Sequence, residues 1–306
     1  MCQHIHIISP SGAIDPILID QTITRLRAWG YNVSVSAHAR ERWGRFAATD
    51  NQRIDDLLYA LQDPSIDIIL CARGGYGLQR IIDQLPPIHK PIIGFSDITA
   101  LHMLAAQTNQ PTLHGPMCKH IASQEDKSEP IIALRQALEG KSLTYHFPAH
   151  PLNKIGEVNA PVIGGNLSVL YGLQATPFSI TQAIQPNNPP ILLIEDICEQ
   201  HYHIDRMMRN LRMSGVLAQI SGLIVGQFTD CNNDPSMSST IEQTIYEAVA
   251  DYNYPVCFQA PFGHFDGNLP IWLHTPTQLS ISDSEVMLYM PSLCYPKHLF
   301  FLTQTL

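Results

Sequence analysis

Four short stretches carry side chains suited to catalysis. In Pro91-Ile92-Ile93-Gly94-Phe95-Ser96-Asp97 an apolar run ends at a serine, and a helical pattern begins at once. This is the layout of a nucleophile elbow. The hydroxyl projects from a strand tip, and the N–H of Asp97 lies at a helix start, where an oxyanion is stabilised. Ile98 stands where a GxSxG motif would have its second glycine, and the competing role for Ser96 is a plain helix N-cap. In Arg73-Gly74-Gly75-Tyr76-Gly77, closely spaced glycines after a strand let backbone N–H groups approach an anion. A dinucleotide fingerprint would need a third glycine where Arg80 stands, although Asp97 lies about 20 residues on, where a ribose-binding acid would be.

The third stretch is Glu195-Asp196, after the apolar run Pro190 to Ile194. Adjacent acids at a strand tip point to opposite sides, so one of them can face a site. There it would orient a histidine and stabilise its imidazolium; the alternative is a pair of solvated loop acids. The fourth, Pro261-Phe262-Gly263-His264, puts a histidine in an irregular loop, a good position for a general base. The chain has 14 histidines, which dilutes the signal of any one. His201-Tyr202-His203, flanked by Glu199 and Asp205, is a rival, because two histidines at i and i+2 on a strand can share a metal. No HExxH motif accompanies it, and the stretch reads as a loop capping a helix, so no metal is expected.

The elements that must hold these residues alternate in the first half. Strands are expected at Ile5 to Ile8, Val33 to Ala37, Ile66 to Cys71 and Pro91 to Phe95. Helices are expected at Pro16 to Trp29, Gln52 to Leu61, Leu78 to Leu85 and Ile98 to Ala106. Short buried strands separated by helices imply a parallel sheet covered on both faces. Between 142 and 161 the rhythm breaks at Pro148 and Pro151, and this stretch is the expected linker. The expected organisation is an α/β domain over 1–141 and a second domain over 162–306. In the second half strands are expected at Pro190 to Ile194 and Gly222 to Phe228, and helices over Ile204 to Leu211 and Ile241 to Val249. A hairpin is expected at Gln278 to Ile281 and Val286 to Met290.

Bulk properties narrow the partners. At 306 residues, 45% hydrophobic and 15% charged, the chain is globular. A net charge of −9 with no run of Lys or Arg argues against nucleic acid. No apolar segment is long enough to span a bilayer, and the first ten residues read as a strand rather than a signal peptide. Seven scattered cysteines without a CxxC pair suit a reducing compartment, so a cytoplasmic location is expected.

Taken together and in order, these stretches resemble the LD-carboxypeptidases, a serine peptidase family that includes murein tetrapeptide carboxypeptidases and the self-immunity hydrolases acting on microcin C. The resemblance also rests on Ile8-Ser9-Pro10-Ser11-Gly12, His114-Gly115-Pro116-Met117, Gly164-Gly165-Asn166-Leu167-Ser168 and Tyr202-His203-Ile204-Asp205-Arg206-Met207, so it spans nearly the whole chain. It implies an N-terminal α/β domain and a C-terminal β-rich domain with the site at their junction. Ser96 matches the nucleophile, Glu195 the acid and His264 the base, while Asp97 and Gly75 match the backbone donors to the oxyanion. It implies hydrolysis of an L,D peptide bond that releases D-alanine from a muropeptide, with no cofactor, no metal and a possible homodimer. The alternative is a related amidase acting on aminoacyl-nucleotide antibiotics, for which Phe178 and Tyr171 are slight support. Two departures, Ala175-Thr176-Pro177 for Gly-Thr-Pro and the bulky Ile271-Trp272-Leu273-His274, fall where the substrate edge is expected.

Overall fold

Apolar runs buried on both faces pair side by side with no polar alternation. In the computed structural model, which describes residues 3–293, those of the first half form β1 (His4–Ile8), β2 (Asn32–Val35), β3 (Ile68–Cys71), β4 (Ile92–Gly94) and β5 (Thr112–His114). Every pairing among these five is parallel. The intervening helices start where their caps place them. Asp15 accepts from the N–H of Ile17 ahead of Pro16–Ala28, and Thr49 and Gln52 form a capping box ahead of Asp50–Gln62. The helix expected over Leu78 to Leu85 is instead two 3-10 turns, Leu78–Arg80 and Ile82–Gln84. Pro86 bars Leu85 from the helical region, and Leu85 is extended at ψ 143°.

The second half contributes β6 (Leu143–Pro148), β7 (Gly156–Asn166), β8 (Ile191–Ile197), β9 (Gly222–Thr229), β10 (Val256–Cys257), β11 (Ile271–Leu273), β12 (Pro276–Ile281) and β13 (Glu285–Met290). Seven of these form a second sheet in the order β10-β9-β8-β7-β12-β13-β6. Its β7 to β10 portion is parallel, and the rest is antiparallel. The expected hairpin is present as β12 and β13. The stretch 142–161 is not a linker: it carries β6 and the first part of β7. The prolines misled because β6 is an edge strand, and Pro148 ends it where no ladder donor is required.

Two features lock the halves together. The first sheet has a sixth strand, β11, which pairs antiparallel with β5 through Ile271–His114, Trp272–Leu113 and Leu273–Thr112. The bulky Ile271-Trp272-Leu273, expected at the substrate edge, are therefore buried sheet residues. The second feature is the close approach of β7 to the helix Thr99–Ala106, which follows the Ser96 turn. The Asn166 N–H donates to Thr99 Oγ1 at 2.9 Å. A Cβ on Gly165 would come within 2.5 Å of the same hydroxyl oxygen, and Gly165 sits at φ 137°. Only glycine fits there. Replacement Gly165→Ala should lower the unfolding free energy by about 1–3 kcal/mol through overpacking. A urea midpoint equal to wild type would show that the two sheets are not held at this distance.

Candidate active site

Ser96 is built into a strained turn. β4 stops at Gly94, and a 3-10 turn, Ser96–Ile98, leads into the helix Thr99–Ala106. Ser96 has φ 67°, in the left-handed region that costs a non-glycine residue roughly 1–3 kcal/mol. Its side chain caps neither the turn nor the helix, so the N-cap role is not the one it has. Phe95, Asp97 and Ile98 are buried around it, and Ser96 itself is half-buried. Asp97 ties the turn down through its side chain. Its Oδ2 accepts from Ser11 Oγ at 2.6 Å and from the Leu78 N–H at 3.0 Å. Burial pushes the Asp97 carboxyl up, and these donors oppose the push. With its carboxylate engaged and no α-helix following Gly77, the dinucleotide arrangement is not formed.

The glycine loop after β3 lies directly on the serine. A Cβ on Gly74 would stand 2.7 Å from Ser96 Cβ and 3.0 Å from Ser96 Oγ. Gly75 follows it at φ 108°, exposed, against Gly12. The Gly12 N–H donates to the Gly74 carbonyl at 3.0 Å, which holds this loop to the turn after β1.

Glu195 and Asp196 are not solvated loop residues. Both lie within β8 and are buried, and a register shift between Ile194 and Asp196 against β9 accompanies their divergence. Asp196 accepts from Asn166 Nδ2 at 2.9 Å, the Ser168 N–H at 2.8 Å and the Ile197 N–H at 2.9 Å. Burial, then the charge of Glu195, pushes it up to about 7. Glu195 points the other way, to His264, whose Nδ1 is 2.7 Å from Glu195 Oε2. Burial alone would raise Glu195. The imidazoles of His114 and His264 outweigh it and hold the carboxyl down to about 2. Burial lowers His264, but the hydrogen bond and charge of Glu195 overcome it and leave the imidazole above its ordinary 6.5.

The His264 loop is braced from inside by the Gly263 N–H donating to Asn268 Oδ1 at 2.9 Å and the Leu269 N–H to the Pro261 carbonyl at 2.9 Å. The imidazole packs edge-on against Phe95, the residue before Ser96, with ring centroids 4.9 Å apart. No hydrogen bond joins the Ser96 and His264 side chains among the described residues. Sequence reasoning did not find Phe95, the Asp97 side chain or Asn268 as supports. Their only signal was adjacency to Ser96 and His264.

His201 and His203 are spent elsewhere. Both sit in the first turn of the helix His201–Met213, not in a capping loop. His201 Nε2 is 2.8 Å from Thr244 Oγ1, and His203 Nδ1 is 3.0 Å from Glu199 Oε2. Among the described residues no group of three or more His, Cys, Asp or Glu side chains is arranged to hold a metal ion. Phe178, a suggested specificity residue, packs against the core.

Comparison with known proteins identifies the family. Residues 5–115 match the LD-carboxypeptidase N-terminal domain and residues 159–279 the LD-carboxypeptidase C-terminal domain. A carboxypeptidase-family protein of Synechocystis sp. is 34% identical over 268 residues, covering 84% of this chain and 85% of its own. The murein tetrapeptide carboxypeptidase of Pseudomonas aeruginosa is 26% identical over 84% of this chain and 87% of its own. The crystal structure of a muramoyltetrapeptide carboxypeptidase from Oxalobacter formigenes superposes with a TM-score of 0.83 at 24% identity, covering 95% of this chain and 99% of that one. With both family domains matched and a relative 34% identical over 84% of its length, the chain belongs to the LD-carboxypeptidase family.

Proposed function

We propose that this protein is a serine-type LD-carboxypeptidase that releases terminal D-alanine from peptidoglycan stem tetrapeptides. The observation that carries the reading is the 2.7 Å contact of His264 Nδ1 with Glu195 Oε2, made by an imidazole packed on the residue before Ser96. With Nδ1 engaged by the carboxylate, Nε2 is the nitrogen left to accept the serine proton. Ser96 attacks the carbonyl of the L,D bond, and His264 takes its proton. The oxyanion meets the N–H groups of Asp97 and Gly75, each such donor contributing roughly 2.7–4 kcal/mol to the transition state. His264 then protonates the departing D-alanine amine, and water cleaves the acyl-enzyme by the same route. The serine–imidazole distance closes when substrate binds, as hydrogen bonds that are loose in unliganded enzymes do. The substrate assignment draws on the printed name of the Pseudomonas aeruginosa relative.

The same reading places the reaction in the cytoplasm, where the cysteines free among the described residues, Cys71, Cys118, Cys198, Cys231 and Cys257, would stay reduced. No helix among the described residues is long and apolar enough to cross a membrane. The expected assembly is a homodimer, and a monomer mass in analytical ultracentrifugation would exclude it.

Ser96→Ala and His264→Ala should each lower kcat on a murein tetrapeptide by several orders of magnitude while circular dichroism stays native. Hydrolysis by Ser96→Ala within about tenfold of wild type would remove the serine from the mechanism. Assayed beside the tetrapeptide, an aminoacyl sulfamoyl adenylate should be the poorer substrate; the reverse order would favour the antibiotic amidase.

Because the base acts in its neutral form and its pKa is raised, kcat/KM should fall as pH drops through a value above 6.5. An acid limb centred well below 6.5 would disconnect His264 from the rate. Activity should also survive exhaustive dialysis against EDTA, and a loss restored by zinc would point to a metallohydrolase.

A further inference from the structure

Glu195 faces two imidazoles, and the mechanism above uses one of them. Oε2 is taken by His264. The other oxygen, Oε1, is fully buried and has no hydrogen-bond partner. An unpaired oxygen on a buried carboxylate is costly, so a group facing it matters. His114 faces it, with Nε2 3.8 Å from Oε1. His114 is likewise fully buried, and neither of its ring nitrogens has a hydrogen-bond partner. The gap of 3.8 Å is shorter than the roughly 4.5 Å that separates two atoms bonded to one water at its near-tetrahedral angle. It exceeds a direct hydrogen bond by only about 1 Å.

The surroundings aim His114 at this spot. It ends β5 and pairs in register with Gly94, two residues before Ser96. Its ring lies 5.7 Å from that of Phe95, the same ring that packs on His264. Behind it stands His102, ring centroids 6.4 Å away, whose Nε2 is bonded to the Gly94 carbonyl at 2.9 Å. His274 Nε2 in turn bonds the His102 carbonyl at 3.0 Å. The titratable groups around the contact are thus Glu195, His264, His102 and His274, with Asp196 next to Glu195 in β8 and His120, whose ring lies 5.5 Å from that of Phe95, acting on His264.

We propose that His114 is a positioning residue: its Nε2–H donates to Glu195 Oε1 in the working enzyme and fixes the carboxylate so that Oε2 stays on His264 Nδ1. The inference rests on the reading of Ser96, Glu195 and His264 as the catalytic set. Closing the gap requires a side-chain movement of about 1 Å, and misplacement on that scale costs up to roughly a hundredfold in rate. The donor also draws charge from Glu195. Its removal strengthens the hold of Glu195 on the His264 proton and moves the acid limb to higher pH.

The test compares His114→Phe, which keeps a ring and loses the donor, with His114→Gln, whose amide nitrogen reaches the Nε2 position. His114→Phe should lower kcat about tenfold to a hundredfold, change KM by less than about threefold and shift the acid limb upward. His114→Gln should recover most of the rate. A folded His114→Phe with wild-type kcat and an unmoved limb overturns the proposal, as does equal impairment of the two variants. Should His114→Phe fail to fold, the ring N–H resonance of His114 decides. Identified by its loss in His114→Gln, it should move upfield in Glu195→Gln; an unmoved resonance overturns the contact. If Ser96→Ala still hydrolyses substrate, the catalytic reading fails, while the resonance measurement still decides the His114–Glu195 contact.

Discussion

A carboxylate stays ionised inside a protein only where other groups replace the water it has lost, and Glu195 has no exposed surface at all. Its charge is supported from the His264 loop on one side and from the end of β5 on the other. Neither supporter is close to Glu195 in sequence. Glu195 thus stays an ionised carboxylate only when both sheets are in place, since breaking such a buried pair commonly costs about 3–5 kcal/mol. Folding and the ionisation state of the site are one problem here.

That dependence explains why the two halves are interlocked and not merely adjacent. The first sheet is completed by β11, which comes from the second half of the chain and pairs with the strand that ends at His114. The helix that follows Ser96 touches β7 so closely that a glycine is required at 165. These contacts act on the same few residues from opposite sides. Strand β11 follows the His264 loop, so the pairing that closes the first sheet also anchors that loop. A hinge at the junction would let the serine and the imidazole drift, and the expected linker at 142–161 carries β6 and the first part of β7 instead.

Much of this was legible in the sequence because the strongest signals were local. The helix Ile241–Val249 and the hairpin of β12 and β13 follow from periodicity and turn residues alone. The elbow at Ser96 was readable because a strand, a serine and a helix are consecutive. What escaped was set by distant parts of the chain. Leu143–Pro148 reads as a break until β13 is there to pair with it, and Ile271–Leu273 reads as a bulky departure until β5 is seen beside it. Glu195 and Asp196 looked equivalent on paper. Their different partners, His264 for one and Asn166 with Ser168 for the other, separate them.

Ser96 shows the same logic at the scale of one residue. A left-handed serine is unfavourable by itself, so something must keep the turn from relaxing. The Asp97 carboxylate does this by joining three separated segments: it holds the Ser11 hydroxyl and the Leu78 N–H while its own backbone leads into the next turn. An aspartate one residue after the proposed nucleophile would be expected to repel a developing oxyanion. Here its charge is buried and occupied by donors, so that its side chain offsets the strain that exposes the serine, and the proposed oxyanion role is left to its backbone N–H.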